Sequence, residues 1–192
     1  MKHLILGSSS PRRKELLETL GFSFVIRVMD TDESFPDSMP TIEVAEYVAS
    51  QKAKALIPGI AAHEMLICAD TIVVVDDEIL GKPVDRADAI HMLKKLAGRS
   101  HEVITGVYVY TLNDQHRFSV KTTVYFNSLS DSEISHYVDQ FQPFDKAGSY
   151  GIQDWIGCVA INRIEGSYTN VVGLPTQEVY DYLKQFELKK AD

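Results

Sequence analysis

The stretch His3-Leu4-Ile5-Leu6-Gly7-Ser8-Ser9-Ser10-Pro11-Arg12-Arg13-Lys14-Glu15-Leu16-Leu17-Glu18-Thr19-Leu20-Gly21 changes character abruptly at its small residues. His3–Gly7 reads as a short buried strand. Ser10 is a good helix N-cap, and Pro11 suits the first helical position, where its missing N–H costs nothing. Leu16, Leu17 and Leu20 supply an apolar stripe, and Gly21 stands where a left-handed C-terminal cap belongs. A strand delivered directly into a helix is the beginning of an α/β fold.

Further along, Phe22–Met29 reads as a second strand and the acidic, proline-containing stretch Asp30–Pro40 as loop. Thr41–Leu56 is a second helix, with Ala45, Val48, Ala49, Lys52 and Leu56 at helical spacing. Leu66–Val75 is apolar and β-branched, with a turn at Asp76-Asp77. Asp85 caps a third helix that ends at Gly98. Val103–Leu112 and Phe118–Phe126 flank the Asn113-Asp114 turn and read as an antiparallel hairpin. Ser130-Asp131-Ser132-Glu133 fits a capping box, with Leu129 and Ile134 as its hydrophobic staple. Ile156–Ile164 reads as another strand and Pro175–Phe186 as a final helix. Early alternation of strands and helices, then a hairpin, predicts an α/β fold with a mixed sheet. At 192 residues, with no repeat and no long linker, one domain over 1–192 is expected.

Composition excludes several classes. Cys68 and Cys158 stand alone, against a disulfide framework or a thiolate zinc site. Met1-Lys2-His3 leads into too short an apolar run for a signal peptide, and no later segment is long enough to span a bilayer, so a cytoplasmic protein without membrane association is expected. The formal net charge of −8 comes without a basic cluster interleaved with aromatics, which argues against nucleic acid as a partner. A small polyanion then needs a local pocket of cations or a bridging metal.

Three places break local rules, as functional sites do. Arg12 and Arg13 occupy a helix's first turn, where the macrodipole favours negative charge. Strand, small-residue turn and helix N-terminus together suit a phosphate, although a solvated basic turn accounts for the same residues. Asp70 interrupts the apolar run Leu66–Val75; it is either a strand-end acid facing water or a carboxylate able to take a proton from water or hold a metal. Lys52 lies on the apolar stripe of the second helix, where a lysine can also snorkel. Lys82, beside Pro83, reads equally as a solvated loop residue. No GxxxxGK[ST], HExxH or GxSxG pattern occurs. His3, His63, His91, His101, His116 and His136 lack metal-ligand spacing and read as surface or hydrogen-bonded core residues.

The same positions carry a resemblance. Leu6-Gly7-Ser8-Ser9-Ser10-Pro11-Arg12-Arg13 with Glu15-Leu16-Leu17, Ala69-Asp70-Thr71-Ile72-Val73, Gly81-Lys82-Pro83, Asp145-Lys146-Ala147-Gly148-Ser149-Tyr150-Gly151-Ile152-Gln153 and Gly166-Ser167-Tyr168-Thr169-Asn170-Val171-Val172-Gly173-Leu174-Pro175 resemble, in order and spacing, the blocks of the Maf family of nucleotide pyrophosphatases. The likeness runs from about residue 3 to residue 186. It implies an elongated, twisted mixed sheet flanked by helices, with two lobes around a central cleft, as in inosine-triphosphate pyrophosphatases. It also implies hydrolysis of a nucleoside triphosphate between its α and β phosphates, a divalent cation (Mg²⁺ or Mn²⁺), and often a homodimer. Thr71 and Gln153 resemble the branch acting on dTTP and UTP rather than the one acting on 7-methyl-GTP.

By that resemblance Asp70 accepts the proton of the attacking water; because Mg²⁺ takes one or two carboxylates with substrate phosphates, Asp70 and Glu33 are the candidate pair for it, though Glu33 also reads as an acid in a solvated loop. Ser8, Arg12, Arg13, Lys52 and Lys82 would hold the phosphates, arginine by paired hydrogen bonds and lysine as a point charge. Gln153 would read the base, since one side-chain amide can meet both the N3–H and O4 of uracil or thymine, with Thr71 or the Gly148–Gly151 backbone fixing the amide's orientation. A nucleotide-sensing regulator of cell division acting through a partner, or the same reaction on a methylated or damaged nucleotide, remains an alternative.

Overall fold

Strand β1 (His3–Leu6) delivers the chain into α1 (Pro11–Thr19), and β2 (Phe24–Ile26), α2 (Thr41–Leu56) and β3 (Glu64–Val75) follow. In this computed structural model, which describes residues 1–191, β1 lies between β2 and β3 and runs parallel to both, with Ile5 opposite Val25 and Leu66. Side chains alternate across a strand, so the strands feed two cores. Leu4, Leu6, Met65 and Ile67 pack with Leu17 of α1; Ile5, Leu66 and Cys68 pack with Ala49, Ala53 and Leu56 of α2.

β3 turns back on itself. Asp76 and Asp77 both adopt positive φ, 50° and 62°, the geometry of a two-residue hairpin turn, and β4 (Glu78–Leu80) pairs antiparallel with β3. After α3 (Arg86–Leu96), β5 (Ser100–Thr111) and β6 (Asp114–Phe126) are sheet neighbours joined by only Leu112-Asn113, a link that antiparallel strands alone permit. α4 (Asp131–Phe141), α5 (Trp155–Val159), β7 (Ile161–Glu165), α6 (Tyr168–Val172) and α7 (Thr176–Leu183) complete the chain. The seven strands form one mixed sheet in the order β2-β1-β3-β5-β6-β7, with β4 on β3. The predicted α/β class is thus borne out.

The chain divides into two compact units. The first comprises Met1–Asp70, Thr105–Val120 and the residues from Gly173 on; the second comprises Thr71–Ile104 and Lys121–Val172. The core of the second unit gathers Val73, Leu93, Phe126, Tyr137 and Ile156. No helix among the described residues is long and apolar enough to cross a membrane.

Caps were the most legible signals. Ser10 accepts from the Arg13 N–H at 3.4 Å with Pro11 behind it, Asp85 accepts from the Asp88 N–H at 2.8 Å, and Ser130–Glu133 forms a complete capping box. One element differs from the sequence expectation. Ile156–Ile164 is not a strand throughout: Trp155–Val159 is helical and only Ile161–Glu165 extends. Ile156 and Ala160 are both buried at helical spacing. A Cβ on Gly157 would stand 1.8 Å from the Ile152 carbonyl oxygen, so the absent side chain lets the backbone coil there. The strand expected over Phe22–Met29 shrinks to Phe24–Ile26, and β4 and α6 are too short to show a period in sequence.

Candidate functional site

From Met65 to Val75, β3 is buried except at Asp70 and Thr71, which are partly buried between Ala69 and Ile72. Strand alternation sets Asp70 on the face of Leu66 and Cys68, the face that α2 covers. Gly106 brings α2 close: a Cβ there would stand 2.1 Å from the Glu46 backbone nitrogen, so only glycine lets the helix backbone approach β5 so nearly. From α2, Lys52 extends its ammonium to the Asp70 Oδ1 at 2.6 Å and the Glu33 Oε1 at 2.9 Å. The loop acid Glu33, expected either in solvent or at the site, is thus tied to it; its side chain remains about half exposed, while those of Lys52 and Asp70 are largely covered.

The α1 end of the first unit supplies the arginines. Ser8, nearly buried, accepts from the Ser10 N–H at 3.2 Å and from an Arg13 Nη1 donor at 3.3 Å. Arg13 Nε also donates to the Gly173 carbonyl at 2.9 Å, which fixes the guanidinium. Burial pulls Arg13 below its ordinary value, Asp70 raises it, Arg12 lowers it and Glu33 raises it again. That balance records two cations and two carboxylates within electrostatic reach of one another. Beneath them the Cys68 thiol, pushed up to about 12 by burial against the pull of Lys52 and Arg13, is an inert core group. Gly7 allows this packing, since a Cβ there would lie 2.3 Å from Cys68 Sγ. The structure therefore brings Ser8, Arg12, Arg13, Glu33, Lys52 and Asp70 together on the first unit. The Gly173 carbonyl was not singled out in sequence, although it lies in one of the family blocks.

Thr71, Lys82 and Gln153 belong to the second unit. Thr71 is half-buried and, as the strand neighbour of Asp70, points to the opposite face. Lys82 and Gln153 are exposed. Their segments are coupled, because the Gly148 N–H donates to the Gly81 carbonyl at 3.0 Å. Gly148 has φ 67°, and a Cβ on it would stand 2.9–3.0 Å from Val73, so this position tolerates only glycine comfortably. His101 is a buried core histidine, hydrogen-bonded on one side of the ring. Its Nε2 lies 2.7 Å from the Tyr150 hydroxyl, but its buried Nδ1 has no hydrogen-bond partner.

Among the described residues, no three His, Cys, Asp or Glu side chains cluster as a metal site. Asp70 and Glu33 nevertheless fit a hard divalent cation. They offer oxygen donors only, they already bracket a positive charge in the Lys52 ammonium, and Mg²⁺ characteristically takes one or two carboxylates with substrate phosphates and water.

The fold and this cluster define an α/β protein that sets fixed cations at a helix N-terminus and on α2 beside paired carboxylates, one on β3 and one on a loop, an arrangement suited to a phosphorylated ligand. The sequence pattern of the Maf-like protein family matches residues 3–186, and the chain belongs to that family. It is 51% identical over 183 residues to the dTTP/UTP pyrophosphatase of Bacteroides fragilis (strain YCH46), covering 95% of each chain. It is also 47% identical to the dTTP/UTP pyrophosphatases of Parabacteroides distasonis, with 95% of each chain covered, and of Flavobacterium psychrophilum, with 94% and 92% covered. Among solved structures, the Staphylococcus aureus Ham1 protein matches with a TM-score of 0.57 at 13% identity, covering 96% of this chain and 99% of that one. That likeness concerns the fold.

Proposed function

We propose that this chain is a nucleoside-triphosphate pyrophosphatase that hydrolyses dTTP and UTP to the monophosphate and pyrophosphate, with both units acting as one domain. The observation that carries the reading is the Lys52 ammonium held between Asp70 and Glu33, with Arg12 and Arg13 in electrostatic reach. The relatives' names support the base assignment.

Lys52 occupies Asp70 Oδ1, which leaves Oδ2 to accept the proton of the attacking water as the α–β anhydride is cut. The same lysine and the two arginines offset charge on the phosphates, and Ser8 with the Gly173 carbonyl keeps Arg13 from swinging away. Asp70 and Glu33 would hold a divalent cation, Mg²⁺ or Mn²⁺. When bound, such an ion neutralises phosphate charge and lowers the pKa of its water. The parts given to Lys82 with the phosphates, to Gln153 with the base and to Thr71 beside it rest on the family blocks in which they stand. An amide at Gln153 meets uracil or thymine in one orientation and cytosine in the flipped one, so selection requires that orientation to be fixed.

Pyrophosphate release from a panel of nucleoside triphosphates, with Mg²⁺ or with EDTA, tests the reading. The expected result is metal-dependent turnover of UTP and dTTP above CTP and the purine nucleotides. Binding without turnover of any triphosphate would refute the enzyme assignment, and undiminished turnover in EDTA would refute the carboxylate pair as metal ligands.

A further inference from the structure

We propose that Tyr137 is a positioning residue for base selection, holding in one conformation the turn that presents Gln153; this rests on the reading of Gln153 above. Tyr137 lies on α4, outside every block of the family resemblance, and its side chain is fully buried. The turn Gly151-Ile152-Gln153-Asp154 closes through the Asp154 N–H, which donates to the Gly151 carbonyl at 3.0 Å. One phenol oxygen fastens both ends of that turn. Tyr137 Oη donates to Asp154 Oδ2 at 2.7 Å and accepts from the Gly151 N–H at 3.1 Å.

Each neighbouring residue suits this arrangement. Gly151 leaves room for the carboxylate: a Cβ there would stand 2.7 Å from Asp154 Oδ2 and push it out of place over the turn. Lys146 Nζ stands 3.9 Å from the same oxygen, an opposite charge beside the carboxylate. Burial and the Asp154 hydrogen bond push the phenol upward, so it keeps its proton and remains the donor. Ile152 is buried beneath the turn while Gln153 is exposed on it. The phenol itself is held firmly: α4 carries the complete capping box, and the ring stacks on Phe141 at 5.2 Å between centroids. Asp154, the residue before α5, makes no side-chain cap bond to that helix, because its carboxylate is turned to Tyr137 instead. The backbone carrying the amide is therefore fixed at both ends by a group that meets no nucleotide itself.

The test compares Tyr137→Phe, Gln153→Ala and the double variant, measuring kcat and KM for UTP, dTTP and CTP together with thermal unfolding. Tyr137→Phe keeps the ring and removes only the hydroxyl. Its KM for UTP and dTTP should rise about tenfold with kcat moving less than about twofold, and the UTP:CTP ratio of kcat/KM should fall by a similar factor. In the Gln153→Ala background the same change should add almost nothing to the loss of selectivity. A Tyr137→Phe enzyme with a lowered Tm but wild-type selectivity, beside a Gln153→Ala enzyme that has lost it, would overturn the inference. If Gln153→Ala itself leaves selectivity intact, it is the reading of Gln153 that fails. Should Tyr137→Phe not fold, Asp154→Ala breaks the same contact from its other end and is judged by the same ratios.

Discussion

His101 should make this protein lose stability as the pH falls below neutrality. The ring is 2% exposed, bonded through Nε2 to Tyr150, edge-on to Phe126 at 5.0 Å, and has no acceptor for a second N–H at Nδ1. Burial lowers its pKa from 6.5 to about 4. Above pH 6.5 both folded and unfolded chains carry it neutral, and no penalty is felt. Between 6.5 and 4 the unfolded chain binds a proton that the native chain refuses, so stability falls as pH falls; below about 4 the loss is complete. At about 1.4 kcal/mol for each tenfold change in proton binding, the interval amounts to about 3 kcal/mol. Urea unfolding between pH 7.5 and 4, followed by circular dichroism, measures it. His101→Gln retains a polar partner for Tyr150 and does not titrate, so other groups cancel in the difference between the two proteins. The wild-type advantage over the variant should shrink by about 3 kcal/mol across that range. A difference that stays flat with pH would refute the argument.

Two substitutions bear on the first unit. Asp70→Asn should lower kcat by roughly 10²–10⁴ while the protein remains folded, because Lys52 keeps Glu33 as an ionised partner and the amide oxygen can still accept its hydrogen bond. Near-normal turnover by that variant, measured as pyrophosphate release, would remove Asp70 from the role of base. Gly106→Ala forces a methyl group against the backbone of Ala45 and Glu46, which cannot rotate away as a side chain could. A cost of about 3 kcal/mol and a Tm lower by roughly 6–12 °C are expected in thermal unfolding. An unchanged Tm would mean that α2 does not need its close approach to β5.

The cluster on the first unit was legible because its members contradict their surroundings. A carboxylate in an apolar strand, two arginines at a helix N-terminus and a lysine on an apolar stripe each require a compensating partner, and here several of them compensate one another. What the sequence hid was contact at long separation. Nothing in the run around Tyr137 announces that its hydroxyl joins Gly151 to Asp154, because helix periodicity marks the residue as core and says nothing of its polar end. The segment around Gly157 misled for a related reason: its apolar, β-branched composition suits a strand, and only the carbonyl of Ile152 against the bare glycine shows why it coils.

The first unit begins with β1 and is finished only by the residues from Gly173 on, after the whole of the second unit has been synthesised. Leu4, Leu17 and Phe22 share their core with Leu174, Val179, Leu183 and Leu188, and Lys2 pairs with Leu188. Until Leu174, Val179, Leu183 and Leu188 are made, that core holds residues of β1, α1, β3 and β5 with Phe22, and the side those four fill stays open. The first unit therefore completes its native core only after the second unit has been synthesised, so its folding waits on its last segment.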